Sequence, residues 1–278
     1  YEIMPSLVGS EMCIRDSKNP KVIQSAALNI GLKNSTGDWI LRLDAHSIYP
    51  ENYLELCYKT AKKTKAQNVG GLFIAKLGGD NYQAHMVQAL TTHKFGVGDA
   101  SYRTSMVSGN ADTVPYGFFK REIFEKIGFL DERLVRAQDY EFNRRLIACG
   151  GKIFRNPKIH VYYYNQTTMK KFLYKQMVRE APYNAYMWYL APYAFAIRHA
   201  ITGMFSFGVL GGLVLSPFFG YIKIIFLSVM TFYFFLSILS SVQQAFRFKK
   251  LKHIILLPFG FFLYHFLHGC GLLYGLIT

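Results

Sequence analysis

The residues best suited to chemistry are two aspartates, Asp44 and Asp139, that lie far apart in the sequence. Asp44 directly follows Trp39–Leu43, which has the pattern of a short strand, and His46 comes shortly after it. Asp139, preceded by Gln138, stands at the start of a segment with helical periodicity. A carboxylate at a strand end and another at a helix start are both well placed to bind ligands in an α/β protein.

Helix-like and strand-like segments alternate around Asp44, from residue 18 to about residue 165. We predict a first helix that ends near Gly37, a second from about Pro50 to Lys65, and a strand from Val69 to Ala75. Ligands in such sheets bind beyond the carboxyl ends of strands, which is where Asp44 and His46 fall. The predicted buried face of the first helix consists of Val22, Ile23, Ala26, Ala27 and Ile30.

The second candidate, Asp139, precedes a helical stripe formed by Phe142, Leu146 and Ile147. The free backbone amides at a helix start point towards such a carboxylate and stabilise it as the anion. An aspartate that only caps a helix has the same pattern, so Asp139 alone does not decide between the two interpretations. The occurrence of Asp44 and Asp139 in one chain favours a functional site.

The composition allows a folded core and excludes several classes of protein. The chain has 278 residues, of which 51% are hydrophobic and 17% aromatic, so it is neither disordered nor fibrous. Its length permits one large or two small domains. The cysteines are too widely spaced to predict a disulfide framework or a zinc knuckle, and they fit a reducing compartment: Cys13, Cys57, Cys149 and Cys270.

The charge distribution indicates a membrane protein. The chain carries 32 Lys and Arg against 17 Asp and Glu, a net charge of +15, yet no acidic residue follows Glu180. Nucleic-acid binding would require a basic face on a soluble module, whereas here much of the excess lies next to uncharged segments. Three such segments exceed the roughly 20 apolar residues that a membrane helix needs: Ala200–Ile222, Ile224–Phe246 and Ile254–Thr278.

The basic loop Arg247–His253 predicts the orientation of these segments. By the positive-inside rule, this loop and everything before Ala200 lie in the cytoplasm. A buried helical hairpin of a soluble protein is the alternative, but three uncharged runs in tandem disfavour it. His265 and His268 lie inside the third run and are either functional or bonded to a neighbouring helix; we favour the second, since the runs contain no carboxylate.

Several stretches in the same order resemble family 2 glycosyltransferases of the GT-A fold, in detail the membrane-anchored exopolysaccharide glucosyltransferases of the succinoglycan type. The resemblance covers nearly everything from residue 18 onward. It implies an α/β fold, with a partial GT-A (Rossmann-like) domain over 18–165, an amphipathic interfacial helix region over 166–199, and a bundle of three transmembrane helices over 200–278 (about 200–222, 224–246 and 254–276). The matching stretches are residues 19–20, 25–32, 37–50, 95–103, 112–153, 158–168, 198–200 and 265–276.

The resemblance implies a donor site for a nucleotide sugar, with a UDP-sugar as the expected donor. Asp44 and His46 stand at the family's Asp-x-Asp position, which holds the donor diphosphate through Mg²⁺ or Mn²⁺. His46 departs from the usual aspartate, and imidazole suits Mg²⁺ less well than a carboxylate does. Asn29, Gln176 and Arg179 are the other residues expected to contact the donor.

The resemblance also implies the chemistry. Asp139 corresponds to the catalytic base, which takes a proton from the acceptor hydroxyl in a single inverting displacement. Further residues are expected to contact the acceptor or the sugar: Asp112, Tyr116, Gly117 and Gln138. For Asp112 a turn-capping role is an equally good interpretation. Gln176 and Arg179 match part of the Gln-x-x-Arg-Trp motif of processive synthases, but Glu180 replaces the Trp, which predicts an enzyme that adds one sugar.

The amino end departs from the family. Residues 1–17 resemble a translated sequencing adaptor, so we expect them to be non-native, and the usual base-binding strands do not precede residue 18. The chain is therefore expected to be a fragment that alone binds nucleotide poorly.

The predicted function is transfer of a sugar to a lipid-linked or glycan acceptor, beside membrane lipid, by a multi-pass protein of a bacterial or archaeal inner membrane with a cytoplasmic catalytic domain. The alternative is a catalytically inactive membrane fragment or scaffold of a polysaccharide assembly complex. A channel or transporter subunit has little support, because the three uncharged runs contain no acidic residue.

Overall fold

The structure, a computed structural model, describes residues 16–278. The prediction for residues 1–17 therefore falls almost entirely outside the described residues, as does Cys13. The strands are β1 (Trp39–Leu41), β2 (Ser47–Ile48), β3 (Asn68–Lys76), β4 (Gly109–Asn110), β5 (Phe118–Lys120) and β6 (Ile153–Tyr164). The helices of this part are α1 (Gln24–Asn34), α2 (Tyr53–Thr64), α3 (Tyr82–Thr91), α4 (Lys94–Val97), α5 (Ser101–Thr104), α6 (Glu122–Ile127) and α7 (Gln138–Ala148).

These strands form one mixed sheet in the order β1-β5-β3-β6-β2, with β4 beside β6. The pair β3–β6 is parallel, and the other pairs are antiparallel. Because β5 runs antiparallel to both β1 and β3, the strands β1, β3 and β6 all point the same way. Their carboxyl ends meet at one edge of the sheet, where ligands bind in α/β folds.

Helices cover both faces of this sheet. Phe118 and Phe119 are adjacent in β5 and point to opposite faces, as alternate strand residues do. Phe118 packs in a cluster with Cys57 of α2, whereas Phe119 packs with Phe124 and Phe142 of α6 and α7. Burying each such ring contributes about 1.5–3 kcal/mol, so the two clusters fix α2 and α7 against the sheet.

The predicted second helix and its following strand are confirmed, with boundaries that shift by a few residues. The predicted buried face of the first helix is confirmed for Ala26 and wrong for the other predicted residues. Val22 precedes the helix and is exposed, and the residues that α1 buries are Ser25, Ala26, Asn29 and Leu32. Asn29 turns this face inward, because its side-chain amide bonds the backbone of Leu130 and the carboxylate of Glu132.

The region between the sheet and the apolar segments is helical. It comprises α8 (Met169–Tyr174), a π-helical segment (Lys175–Glu180), α9 (Ala181–Leu190) and a short 3₁₀ turn (Pro192–Ala194). Gly271 of the last helix lies against the backbone of Met177, where a side chain would not fit. The position of this region in the headgroup layer remains a prediction.

Three of the described helices are long and apolar enough to cross a membrane: α10 (Ile197–Leu215), α11 (Gly220–Phe248) and α12 (His253–Ile277). The first begins earlier than predicted and includes Arg198 in its first turn. His265 accepts or donates a hydrogen bond with Tyr233 at 2.8 Å, and His268 does so with Thr202 at 3.0 Å. The prediction that both histidines bond neighbouring helices is confirmed.

Candidate active site

The turn after β1 fixes Asp44 at the carboxyl edge of the sheet. Arg42 continues the strand, since its backbone N–H donates to the carbonyl of Gly117 at 3.2 Å. The chain then turns back through Ser47, whose N–H donates to the carbonyl of Asp44 at 3.2 Å. The backbone N–H of Asp44 donates to the Tyr49 hydroxyl at 2.7 Å. The backbone of Asp44 is therefore held through both its carbonyl and its N–H, directly after the Arg42 backbone bond to Gly117.

The guanidinium of Arg42 joins the two candidate carboxylates. Its Nε and Nη2 lie 3.3 Å from the two carboxylate oxygens of Asp44, and its Nη1 lies 3.9 Å from Oδ2 of Asp139. The face of the Tyr116 ring lies 5.3 Å from Cζ of Arg42. The Arg42 side chain is only 9% exposed. Asp44, Asp139 and Tyr116 therefore surround one buried cation that the sequence prediction did not include.

Asp139 reaches this point from the start of α7. Ala137 precedes the helix with a left-handed backbone (φ 62°), which turns the chain into the first helical residues. One carboxylate oxygen of Asp139 accepts a hydrogen bond from the N–H of Tyr140 at 2.8 Å, and the side chain is 47% exposed. Gln138 points the other way and is buried, with its amide donating to Gln24 at 2.7 Å. Of the neighbouring residues Gln138 and Asp139, Asp139 is thus the one accessible to a substrate.

The loop 112–117 lies between β3 and α7. A buried chain of hydrogen bonds fixes it, in which Asn68 donates to Asn143 at 2.7 Å and Asn143 donates to Thr113 at 2.8 Å. Tyr116 and Gly117 both have positive φ (59° and 92°). A side chain at Gly117 would meet the Phe119 ring and would lie 2.7 Å from Oδ1 of Asn68, so only glycine fits.

Asp112, at the start of this loop, is bound to the first apolar helix. Arg198 places Nη1 at 2.6 Å from Oδ2 of Asp112 and at 3.1 Å from Oδ1 of Asp99. The Arg198 guanidinium lies 4.8 Å from the centre of the Tyr140 ring, next to Asp139 in the chain. A second arginine therefore ties α10 to both the loop and α7.

The tyrosines of the site remain neutral at ordinary pH. Burial raises the pKa of Tyr49 to about 12, and burial also raises the pKa of Tyr116. Tyr116 shares a hydrogen bond with Ser47 through its hydroxyl. Both phenols therefore act as hydrogen-bonding groups that shape the Asp44 turn, and neither is suited to accept a proton from a substrate.

The other predicted residues are not joined to this cluster. His46 is exposed, and no contact of its ring with another described residue is present. Asn29 uses its side chain to tie α1 to the loop at Leu130, as described above. Gln176 is half-buried and Arg179 is exposed in the π-helical segment, and within residues 16–278 neither contacts Asp44 or Asp139.

The protein side chains around Asp44 could bind a divalent cation only together with ligands from a substrate. Within the described residues no group of three His, Cys, Asp or Glu side chains is placed to hold a metal ion. Asp44 offers one carboxylate with His46 near it in sequence. Mg²⁺ in enzymes is commonly held by one or two carboxylates, with substrate phosphates and water completing its shell. Asp44 fits that mode of binding and does not fit an all-protein cage.

Residues 2–128 match the family model described as Glycosyl transferase family 2. The chain is similar to dolichyl N-acetyl-alpha-D-glucosaminyl phosphate 3-beta-D-2,3-diacetamido-2,3-dideoxy-beta-D-glucuronosyltransferase of Methanococcus voltae, with 28% identity over 268 residues, 93% of this chain and 77% of the relative. It is also similar to succinoglycan biosynthesis protein ExoA of Rhizobium meliloti (strain 1021), with 31% identity over 148 residues, 52% of this chain and 44% of the relative. Of the residues that meet in the site, Arg42, Asp44 and Tyr116 lie inside the family match, and Asp139 lies beyond it.

Proposed function

The chain carries a glycosyltransferase family 2 domain, and we propose that it is an inverting enzyme that moves one sugar from a nucleotide-diphosphate donor to a lipid-linked acceptor. The observation that supports this most strongly is the shared contact of Asp44 and Asp139 with Arg42. A strand-end carboxylate and a helix-start carboxylate that meet at one sheet edge can serve donor and acceptor in one cleft.

In the proposed reaction Asp139 is the base. Its exposed carboxylate accepts the proton of the acceptor hydroxyl while that oxygen forms a bond to the anomeric carbon. The bond from the anomeric carbon to the diphosphate oxygen breaks, and the nucleoside diphosphate leaves with that electron pair. Because attack comes from the face opposite the leaving group, the configuration at the anomeric carbon inverts. Holding the two substrates in line supplies much of the rate.

Asp44 is proposed to hold the donor's divalent cation, Mg²⁺ or Mn²⁺, with His46 as the second residue near it. When bound there, such a cation would offset the negative charge that develops on the leaving diphosphate. Tyr49 and Ser47 keep the Asp44 turn closed, so the carboxylate is already oriented before the donor arrives. We assign the remaining donor contacts, with a UDP-sugar as donor, to Gln176 and Arg179, as the family resemblance implies. Asn29 receives no such role, because its buried side chain is already bonded to Leu130 and Glu132.

The acceptor is proposed to be lipid-linked because the site faces the helices that can cross a membrane. Asp112 of the site loop is joined directly to Arg198 in the first turn of α10. The relative from Methanococcus voltae is named for a dolichyl phosphate-linked sugar, which supports an acceptor of that class. The basic loop between α11 and α12 supports a cytoplasmic catalytic domain in a bacterial or archaeal inner membrane.

The test uses membranes that contain the full reading frame to which this chain belongs. They are given a panel of radiolabelled UDP-sugars with Mg²⁺ or Mn²⁺, and label is followed into organic-extractable lipid. We expect one sugar to transfer label in the wild type and none in Asp139→Asn. Asp131→Asn is the matched control, since Asp131 pairs with Arg133 outside the site and should retain transfer. If no sugar is transferred by any preparation that folds and binds membranes, the chain is a scaffold instead.

A further inference from the structure

One positive charge serves two carboxylates in the site. Arg42 offers a fork of Nε and Nη2 to Asp44 and its remaining Nη1 to Asp139. Its side chain is buried against the Tyr116 ring, so it is shielded from solvent and its charge is directed into the cleft. Without this cation the negative charges of Asp44 and Asp139 at this sheet edge would lack a shared counter-charge.

The contacts of Arg42 are long for charge-assisted bonds. Pairs of this kind are commonly about 2.7–2.9 Å, whereas both bonds to Asp44 measure 3.3 Å and the approach to Asp139 is 3.9 Å. Arg198 binds Asp112 at 2.6 Å in the same protein, so the structure also contains a tight pair for comparison. The guanidinium of Arg42 thus neutralises Asp44 without holding it closely.

We propose that Arg42 is a positioning residue that neutralises Asp44 and Asp139 until the donor binds, and that the donor's divalent cation then takes Asp44 over from the guanidinium. The proposal rests on the proposed function, since it assigns Asp44 to the cation. Arg42 then keeps its contact with Asp139 and holds that carboxylate in place beside the incoming diphosphate. It forms and breaks no covalent bond in this role.

The proposal makes Arg42 and the cation competitors for one carboxylate. Removing the guanidinium should therefore strengthen binding of the cation at Asp44 when a nucleoside diphosphate supplies the remaining ligands, although the same change should weaken catalysis. A residue that only packed the core would show no such opposition. Lysine is the informative conservative replacement, because one ammonium group can pair with either carboxylate but lacks the fork that spans both.

The first experiment measures Mn²⁺ binding to the purified full-length protein in detergent by electron paramagnetic resonance, with UDP at the same concentration in every sample so that its phosphates complete the shared site. Arg42→Met should bind Mn²⁺ about 10- to 100-fold more tightly than the wild type, the range over which groups around a metal ligand change affinity. Arg42→Lys should fall between them. Adding Asp44→Asn to Arg42→Met should remove the added binding, and Asp44→Asn alone should bind Mn²⁺ no more tightly than the wild type.

Arg133→Met is the matched control, since Arg133 also pairs with an aspartate but lies on the surface. It should leave Mn²⁺ affinity unchanged. Equal or weaker Mn²⁺ binding in both Arg42→Met and Arg42→Lys would overturn the proposal. If Arg42→Met does not fold, the lysine variant decides, because it retains a charge in the buried site.

The second experiment separates this proposal from the proposed function. Transfer by the wild type with unchanged Mn²⁺ affinity in the Arg42 variants would overturn the role of Arg42 alone. Tighter Mn²⁺ binding in those variants, with no transfer by the wild type, would overturn the enzymatic function. The same result would support the replacement of Arg42 by the cation at Asp44. Where transfer is measurable, Arg42→Met should lower kcat strongly while the Mn²⁺ concentration that gives half-maximal rate falls.

Discussion

Two arginines of this protein have similar surroundings and different bond lengths. Arg42 and Arg198 are both about one-tenth exposed in their side chains (9% and 10%), and each meets two aspartates and one tyrosine ring. Arg42 lies at the end of a strand and keeps its carboxylates at 3.3 and 3.9 Å. Arg198 lies in the first turn of a membrane helix and keeps its carboxylates at 2.6 and 3.1 Å.

The difference in bond length matches the groups that each arginine joins. Arg198 connects three separate elements, namely the loop at Asp112, the segment at Asp99 and α7 through Tyr140, so short bonds there fix the catalytic domain on the membrane helix. Arg42 connects Asp139 to Asp44, and Asp44 is proposed to exchange the guanidinium for the cation during the reaction. Short bonds at Arg42 would have to be broken in every cycle. We therefore interpret the contacts around Arg198 as a structural cluster and the contacts around Arg42 as a reactive cluster. The structural cluster comprises Arg198, Asp99, Asp112 and Tyr140, and the reactive cluster comprises Arg42, Asp44, Asp139 and Tyr116.

The largest expected effect tests the reactive cluster at Asp139. Asp139→Asn removes the proposed base but preserves shape, so kcat should fall by about 10²- to 10⁴-fold, the usual contribution of general-base catalysis. Donor binding and the apparent unfolding temperature should change little, because the side chain is half exposed. Single-turnover transfer to lipid acceptor measures the rate.

Asp99→Asn is the counterpart in the Arg198 cluster. Asp99 is also a carboxylate paired with an arginine, and it is mostly exposed. Its replacement should change kcat less than about threefold, as for exposed ion pairs of small energy. Loss of activity of equal size in both variants would remove the distinction between the clusters.

Two further substitutions, one in each cluster, compare the effect on stability with the effect on transfer. Asp112→Asn deprives the buried Arg198 of its shortest bond, so it should lower the free energy of unfolding by about 1.5–3 kcal/mol, the value for hydrogen bonds to charged groups. Asp44→Asn loosens longer bonds and should cost less stability while it abolishes Mn²⁺-supported transfer. Thermal unfolding in detergent and transfer assays, run on the same preparations, give the two readouts. The opposite ranking in either readout would contradict the assignment.

The sequence predicted the reactive cluster better than the structural one. Asp44 and Asp139 could be found because each stands at a recognisable element boundary. Arg42 was missed, although a lone charged residue in an apolar strand two positions before Asp44 was a usable signal. The contact of Arg42 with Asp139 across the cleft depends on the tertiary fold. Strand periodicity does not reveal which side chains meet in the cleft.

In the sequence analysis Arg198 appeared only in the basic segment before the apolar helices and in the matching stretch 198–200, with no partner assigned. Its partners, Asp99 and Asp112, lie in irregular segments whose path follows from packing, so no local pattern could assign them. The same limit explains the wrong face of α1. Asn29 is polar and was not counted as buried, yet its amide is satisfied by the backbone of Leu130, which makes burial of a polar residue favourable.

Gly117→Ala tests how far the reactive cluster depends on the loop beneath it. The backbone at Gly117 has a φ of 92°, and an added Cβ would lie 2.7 Å from Oδ1 of Asn68. An alanine in this backbone conformation costs about 1–3 kcal/mol of strain. The loop should shift to relieve this strain, and the shift should move the neighbouring Tyr116 away from Arg42. We expect a lower apparent unfolding temperature and a roughly tenfold loss of kcat, since about 1.4 kcal/mol of barrier is tenfold in rate.

Gly109→Ala provides the control for this substitution. Gly109 lies in β4, where nothing stands within 4 Å of an added Cβ, and its φ is not positive. It should leave both the unfolding temperature and kcat near those of the wild type. If Gly117→Ala behaves in the same way, then the loop does not position Tyr116 and Arg42.

The smallest effect is expected from Tyr49→Phe, which removes the hydroxyl that accepts from the N–H of Asp44. Loss of this bond should reduce the free energy of unfolding by about 1 kcal/mol at pH 7 and lower kcat by a small factor. Burial raises the pKa of Tyr49 from 10.0 to about 12, so the unfolded chain ionises first as pH rises. The stability that Tyr49 adds over phenylalanine is therefore present below pH 10 and should be lost as pH rises to about 12. Denaturant unfolding of both proteins across that range measures the difference, and parallel curves would show that this hydroxyl is not buried against Asp44.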